Sequence, residues 1–462
     1  MKAWKIARDI VADAKARIVI EDDNDWTMED SQVHELNKIR TIWRSVAPGS
    51  GAPSSLIAGA VQSIENMGRN VDEAERLLEK GYKLYDEENI SELTKITSKI
   101  FYELNNAKKD NSSKYWDYKI YNSWIEFKDS VDFSQVIKGV DIQSDEFMNK
   151  VFNGWMGQIC AGSFGTALEG YDRKTIKDTF GEVREYLKKP STYNDDITYE
   201  LAFLKTLLEK GKEITSKDIA ENWVAMVPFG WSAEDIALKN LMLGIYPPES
   251  GYLNNPYREW IGAQMRGGIC GMVAPGNPYL AANLAWIDGE ISHHNSGIVG
   301  EVFNAVMTSL SFVEDDIKII LEKAINMLPK DSEYYYVVDF ALSKCKESKD
   351  FERVLIACEK EFEQYNLVHG FPNAAIEVVA LWFGNGDFDE TMFITAMAGL
   401  DVDCNAAQVG NIVGIINSEE GLDKKWTLPI GDDINTYVRG LEKTSISQLT
   451  EWTVECTKIL SR

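Results

Sequence analysis

Apolar residues recur every three to four positions along almost the whole chain, the spacing that lines one face of an α-helix. The first 44 residues read as a helix, an acidic turn over 21–25 and a second helix. They stop at Ser45-Val-Ala-Pro-Gly-Ser-Gly-Ala-Pro-Ser-Ser55, whose prolines and glycines mark a loop. Helical spacing resumes over 56–67 and 71–85, and Ser91 opens a further helix with a capping residue. Counted this way the chain holds about sixteen helical segments or more, and no alternating strands bounded by hairpin turns. The fold class is all-α.

Residues 110–129 crowd together Tyr115, Trp116, Tyr118, Tyr121, Trp124 and Phe127, a composition that suits packing between helices. From about residue 141 the texture changes, dividing the chain into an N-terminal helical region, 1–140, and a second region, 141–462. Glycines now interrupt helical segments, where each costs about 1 kcal/mol relative to alanine. Gly154, Gly157, Gly162 and Gly165 are spaced so that another helix or a ligand can approach the backbone. The segment ends in Leu168-Glu169-Gly170-Tyr171, with a carboxylate at its end.

Two acidic clusters carry the candidate chemistry. Asn194-Asp195-Asp196 leads into a helix over 201–210, and two adjacent carboxylates plus a carboxamide exceed what a helix cap requires. They suit oxygen ligation of a hard cation. The second cluster, Gly399-Leu-Asp401-Val-Asp403-Cys404-Asn405-Ala-Ala, follows a helix over 390–398. Carboxylates at i and i+2 diverge on a regular helix, but in a turn entering one they can converge on a single cation. The plainer alternative makes Asp401 or Asp403 an N-cap and the small residues a packing face.

Between the clusters lie Arg266-Gly267-Gly268, then Ala274-Pro-Gly-Asn277-Pro278 opening a helix over 280–288, then Ser292-His293-His294-Asn295. Arg266 and the glycine backbone can meet phosphate or ribose oxygens; Arg266 can equally pair with Glu259 or a buried aspartate. Adjacent histidines point to different sides of a helix, so His293 and His294 make a weak zinc pair and suit a supporting role. His369 precedes a helix that runs to Gly384. Trp260 and Trp286 read as core.

Charge and composition narrow the classes. With 73 acidic against 48 basic residues the net charge is −25, which opposes nucleic acid and anionic membranes as general partners. No run of about 18 apolar residues predicts a membrane span. Asp9, Asp13 and Lys15 break any export signal in the first helix. Six cysteines form no C-x-x-C pair, as expected of a reduced, cytoplasmic protein. Phosphate-loop, dinucleotide-type, serine-hydrolase and HExxH motifs are missing.

Together these segments resemble the ADP-ribosylglycohydrolase family, which includes the dinitrogenase reductase-activating glycohydrolases, in a divergent branch with an Asp-x-Asp-Cys-Asn motif. Gly157-Gln-Ile-Cys-Ala-Gly162-Ser-Phe-Gly165-Thr-Ala-Leu-Glu169-Gly170 resembles the family's glycine-rich first helix and active-site glutamate. Asn194-Asp195-Asp196 resembles its Thr-Asp-Asp motif, and Asp401-Val-Asp403-Cys404 its closing Asp-x-Asp-Thr motif. Residues 255–266, Pro275-Gly-Asn277-Pro278, Ser292-His293 and Asn295-Ser-Gly297 also match that branch. The resemblance covers about residues 150–440.

The resemblance implies an orthogonal helical bundle with a binuclear magnesium site, manganese being the substitute, between helix ends. It places Asn194, Asp195, Asp196, Asp401, Asp403 and Cys404 as ligands and Glu169, Asp195 and Asp403 as catalytic. Arg266, Gly267, Asn277, Ser292, His293 and Asn295 fall at substrate positions. The implied substrate is an ADP-ribosylated protein or a ribosyl small molecule; the alternatives are a nucleoside-type substrate or a non-catalytic, crystallin-like role. Sulfur at Cys404 is a poor magnesium ligand, which admits a thiol outside the coordination sphere or a softer metal.

Overall fold

The computed structural model describes residues 2–16, 38–44, 55–133, 139–418 and 421–461. The acidic turn expected at 21–25 and most of the loop at 45–55 lie outside them. Among the described residues there are 23 α-helices and one antiparallel pair of short strands, Asp433–Asn435 with Lys443–Ser445. The all-α class holds, and among the described residues no helix is long and apolar enough to cross a membrane.

Two helices form the axis of the molecule. From Gly154 on, Asp145–Gly165 is mostly small or apolar and buried throughout, and in Val402–Ile416 the residues from Val402 to Ile415 are all buried. A helix without a polar face has no solvent side and must lie inside. Their crossing is lined by glycine. A β-carbon on Gly157 would collide with the carbonyl oxygen of Gly410, and one on Gly165 with the backbone of Asp403. Gly154 faces Ile415, and Gly162 faces Ala407 and the side chain of Asn194. The close approach expected of the glycine spacing is therefore made by the helix that carries the second acidic motif.

Buried amides lock the register of this core. Asn411 donates to Gln158 Oε1 at 3.1 Å and accepts from Thr308 at 3.2 Å, while Gln158 donates to Glu200 Oε2 at 2.8 Å. Those four side chains tie together helices Asp145–Gly165, Asp195–Lys210, Ser296–Ser311 and Val402–Ile416. Gln408 adds a bond from Gly268 N at 3.1 Å and another to the carbonyl of Met265. Buried polar groups satisfied in this way specify one packing, because any slip leaves them unpaired.

The boundary near residue 140 is not a boundary of the core: one apolar cluster runs from Ala3 to Cys456. Helix Leu56–Asn66 presses Gly59 against Trp260, whose Nε1 donates to Ser63 Oγ at 2.6 Å. Tyr115 and Tyr121 of the aromatic stretch donate to Glu259 at 2.9 Å and Asp331 at 2.6 Å. Trp124 and Phe127 pack on Trp286. All six cysteines are free and buried.

Gly157→Ala is expected to lower stability by about 1–3 kcal/mol, because backbone rather than a flexible side chain blocks the added methyl. Gly139→Ala, which meets nothing within 4 Å, is the control. Urea denaturation of both variants checks this; equal midpoints would remove the glycine crossing as a constraint.

Candidate metal centre and active site

Each acidic motif sits at the start of a helix. Asn194 is the N-cap of Asp195–Lys210, and its side chain accepts from Asp196 N at 2.6 Å. Asp401 is the N-cap of Val402–Ile416 but makes no capping bond. Its carboxylate is turned elsewhere, which leaves the plain capping reading without its hydrogen bond. Gly399 and Leu400, both at positive φ (76° and 68°), reverse the chain just before it. A leucine in the left-handed region is unfavourable on its own. Neighbouring backbone holds it: Leu400 N donates to Tyr171 O at 2.8 Å and Gly170 N to Leu400 O at 2.9 Å. The same pair of bonds draws the half-buried turn bearing Glu169 alongside the loop into Asp401.

The two motifs converge. One oxygen each from Asp195, Asp196 and Asp403 lie within 4.8 Å of one another, and so do ligand atoms of Asp401, Asp403 and Cys404. Asp403 belongs to both groups, so the groups are contiguous. Asp195 is half-buried; the other three carboxylates are buried. Burial first and mutual repulsion second push these groups up, Asp195 to about 8, and Asp196 and Asp401 well above the usual carboxylate range. Both oxygens of Asp196 and Oδ1 of Asp401 are buried without a hydrogen-bond partner. Carboxylates in that condition require protons or cations. Oxygen donors, a shared aspartate and unpartnered buried oxygens fit a pair of divalent cations.

The remaining sequence candidates go elsewhere. Arg266, expected to meet substrate, is 1% exposed and has its donors spent inside the protein. Nε donates to Asp288 at 2.5 Å, Nη1 to Glu234 at 3.1 Å and to Gly262 O at 2.6 Å, and Nη2 to Ser292 Oγ at 3.0 Å. Tyr199 and Trp223 flank the guanidinium. Burial pulls its pKa down, but Asp288, Glu301 and Glu234 outweigh this and keep it charged. Of the two readings left open, the buried ion pair is correct, with Asp288 and Glu234 as partners in place of Glu259. Gly267 packs on the backbone of Glu301. Asn277 is an exposed cap, accepting from Leu280 N.

Ser292 bridges Arg266 to His293 Nδ1 at 2.7 Å, and burial holds His293 neutral. Asn295 binds Glu259 at 2.9 Å and Tyr121 N at 3.0 Å, facing the N-terminal region. His369 caps helix Gly370–Gly384. The structure thus brings together Asp195, Asp196, Asp401, Asp403 and Cys404 near the turn carrying Glu169. It holds Arg266, Gly267, Ser292, His293 and Asn295 buried within the protein and leaves Asn277 as an exposed helix cap.

Sequence reasoning missed Glu234. It is buried in the first turn of Ser232–Met242, bonded to Arg266 and close enough to Asp195 to add to its repulsion. Burial raises it to about 7 against the pull of Arg266. An acid in a first helical turn is so ordinary that nothing in the sequence marks it. The aromatic wall beside Asp195 was missed too. Tyr437 stacks on Phe229 at 4.8 Å, Trp231 meets Phe229 edge-on, and Tyr193 packs on Tyr437. Tyr437 feels both Asp195 and Asp196.

The chain belongs to the ADP-ribosylglycohydrolase family, whose family model matches residues 143–456. An uncharacterized protein of Archaeoglobus fulgidus is 24% identical over 273 residues, covering 56% of this chain and 85% of its own. A solved ADP-ribosylglycohydrolase-related protein complex, 17% identical, aligns with 69% of this chain and all of its own at a TM-score of 0.47.

Two outcomes are expected. Arg266→Met should cost about 3–5 kcal/mol by leaving buried carboxylates uncompensated; a change within about 0.5 kcal/mol, as at an open surface, would return Arg266 to the substrate. Asp195, at about 8 against an ordinary 3.8, keeps a proton that the unfolded chain releases. Its contribution to stability is therefore present below about pH 4 and is lost as pH rises through about 8. Added magnesium replaces those protons, so its thermal shift should be larger near pH 8 than near pH 6. An equal shift at both would separate the ion from these oxygens.

Proposed function

We propose that this protein is a divalent-metal-dependent hydrolase that cleaves a glycosidic bond to ribose, with an ADP-ribosyl group on a protein or small molecule as its substrate. The observation that carries this reading is the convergence of Asp195, Asp196, Asp401 and Asp403 with buried, unpartnered oxygens among them. Asp195, Asp196 and Asp403 would hold one cation, and Asp401 and Asp403 would contribute to the second. Divalent cations there supply positive charge that can grip a ribose diol and acidify a water. Asn194 has its oxygen engaged by Asp196 N, which makes it a positioning residue for the helix start.

Glu169 acts as the proton acceptor. Its turn is fastened to the loop entering Asp401, which supports a role for its carboxylate in taking a proton from a sugar hydroxyl or a water. The rings of Phe229, Trp231 and Tyr193 offer planar faces for a base or other flat group attached to the sugar. Intact acidic motifs favour catalysis over a crystallin-like role on the same scaffold.

A second substrate reading, a nucleoside or simpler ribosyl metabolite, is favoured by one observation. Arg266, which the sequence offered equally for phosphate or ribose oxygens and for a buried ion pair, is consumed by Asp288 and Glu234. Mass spectrometry of the protein with magnesium or manganese and a panel of ADP-ribosyl-arginine, ADP-ribosyl-serine, O-acetyl-ADP-ribose and nucleosides separates the two. Free ADP-ribose is the expected product, absent with Asp403→Asn. Glu169→Gln should lose turnover while keeping magnesium affinity. Ribose released from nucleosides alone would move the substrate to the second reading, and loss of fold in Glu169→Gln would make that residue structural.

A further inference from the structure

Within the metal-dependent reading above, on which this inference rests, the two halves of the acidic cluster are not chemically alike. Asp195, Asp196 and Asp403 offer oxygen only, whereas Asp401 and Asp403 are joined by the sulfur of Cys404 within the same 4.8 Å. Cys404 is buried in the first turn of Val402–Ile416, one residue past Asp403. Its thiol lies in the field of all four aspartates. On another side it meets a second soft atom, Met265 Sδ, at 3.7 Å. Cys160, Cys270, Cys345, Cys358 and Cys456 join no such three-residue group among the described residues. Beside it, Asp401 Oδ1 and both oxygens of Asp196 are buried without hydrogen-bond partners.

We infer that the two positions take different metals: a hard ion such as magnesium between Asp195, Asp196 and Asp403, and a thiophilic divalent ion, of the zinc or cobalt(II) kind, between Asp401, Asp403 and Cys404. Carboxylates satisfy magnesium, which takes up thiolate poorly; a mixed oxygen and sulfur set selects the later transition metals. The step balances without redox change. The S–H bond breaks, its electron pair stays on sulfur and forms the metal–sulfur bond, and the proton leaves to solvent. Two divalent ions then bring four positive charges to four carboxylates and one thiolate, relieving the repulsion within the cluster.

Cobalt(II) is the probe, because a cobalt–thiolate bond gives a near-ultraviolet charge-transfer band that oxygen ligands do not. The metal-free 462-residue chain is titrated with cobalt(II) in excess magnesium while absorbance is recorded. The expected result is a charge-transfer band that saturates at one equivalent and persists in magnesium. In Cys404→Ser the band should vanish and cobalt affinity fall about tenfold or more, with magnesium affinity unchanged. Cobalt bound without the band, a band displaced by magnesium, or a band retained in Cys404→Ser would each overturn the inference. The wild-type spectrum decides even if the variant fails to fold. Folded protein that binds neither metal would overturn the metal-dependent reading as well, which distinguishes the two failures.

Discussion

Where Gly157 passes Gly410 and Gly414, two helices meet backbone to backbone, with no side chain between them. Glycine inside a helix is unfavourable, and this chain accepts it four times in Asp145–Gly165 alone. What offsets the cost is burial and placement. The crossing ends with Gly165 against the backbone of Asp403 and Gly162 against Asn194, so both acidic motifs are delivered to the same end of one helix. Larger residues there would hold the motifs apart.

The electrostatic character of the site follows from that placement. Four carboxylates and a thiol are gathered where water is largely excluded, and the buried Arg266 is committed to Asp288, Glu234 and Ser292. The charged and neutral parts of the interior are thereby divided. One cluster is compensated by an arginine and made rigid; its neighbour is left short of positive charge. On the proposed metal-dependent reading, divalent cations would remove a repulsion the folded chain otherwise meets with protons.

The N-terminal region extends this arrangement outward. Its helices share one apolar core with the family-matching region, and Tyr115, Asn295 and Glu259 are hydrogen-bonded across the junction. Ser292, His293 and Asn295, which looked like substrate contacts, serve that junction or the arginine network. The segment 292–295 links the two: Ser292 reaches Arg266, and Asn295 reaches Tyr121.

Local chemistry was legible in the sequence. Helical periodicity and the glycine spacing each depend on residues a few positions apart, and both formed as predicted. Of the caps, Asn194 accepts from Asp196 N, Asp401 makes no capping bond, and the helix expected to open at Ser91 is capped by Asn89. The predicted helix at 201–210 began earlier, at Asp195, because Asn194 supplies the cap. What sequence left open was which surface each glycine meets and which acid each base meets. Gly157 faces a residue more than 250 positions away, and Arg266 chose Asp288 and Glu234 over Glu259. Glu234 carried no signal, since an acid in a first helical turn is unremarkable until the fold buries it. Sequence by itself determined the helices and the ligand chemistry at their ends, because propensity, capping and side-chain type are local. Tertiary structure alone decided which ends meet and which charges are compensated, because burial and Coulomb interaction depend on distance in space.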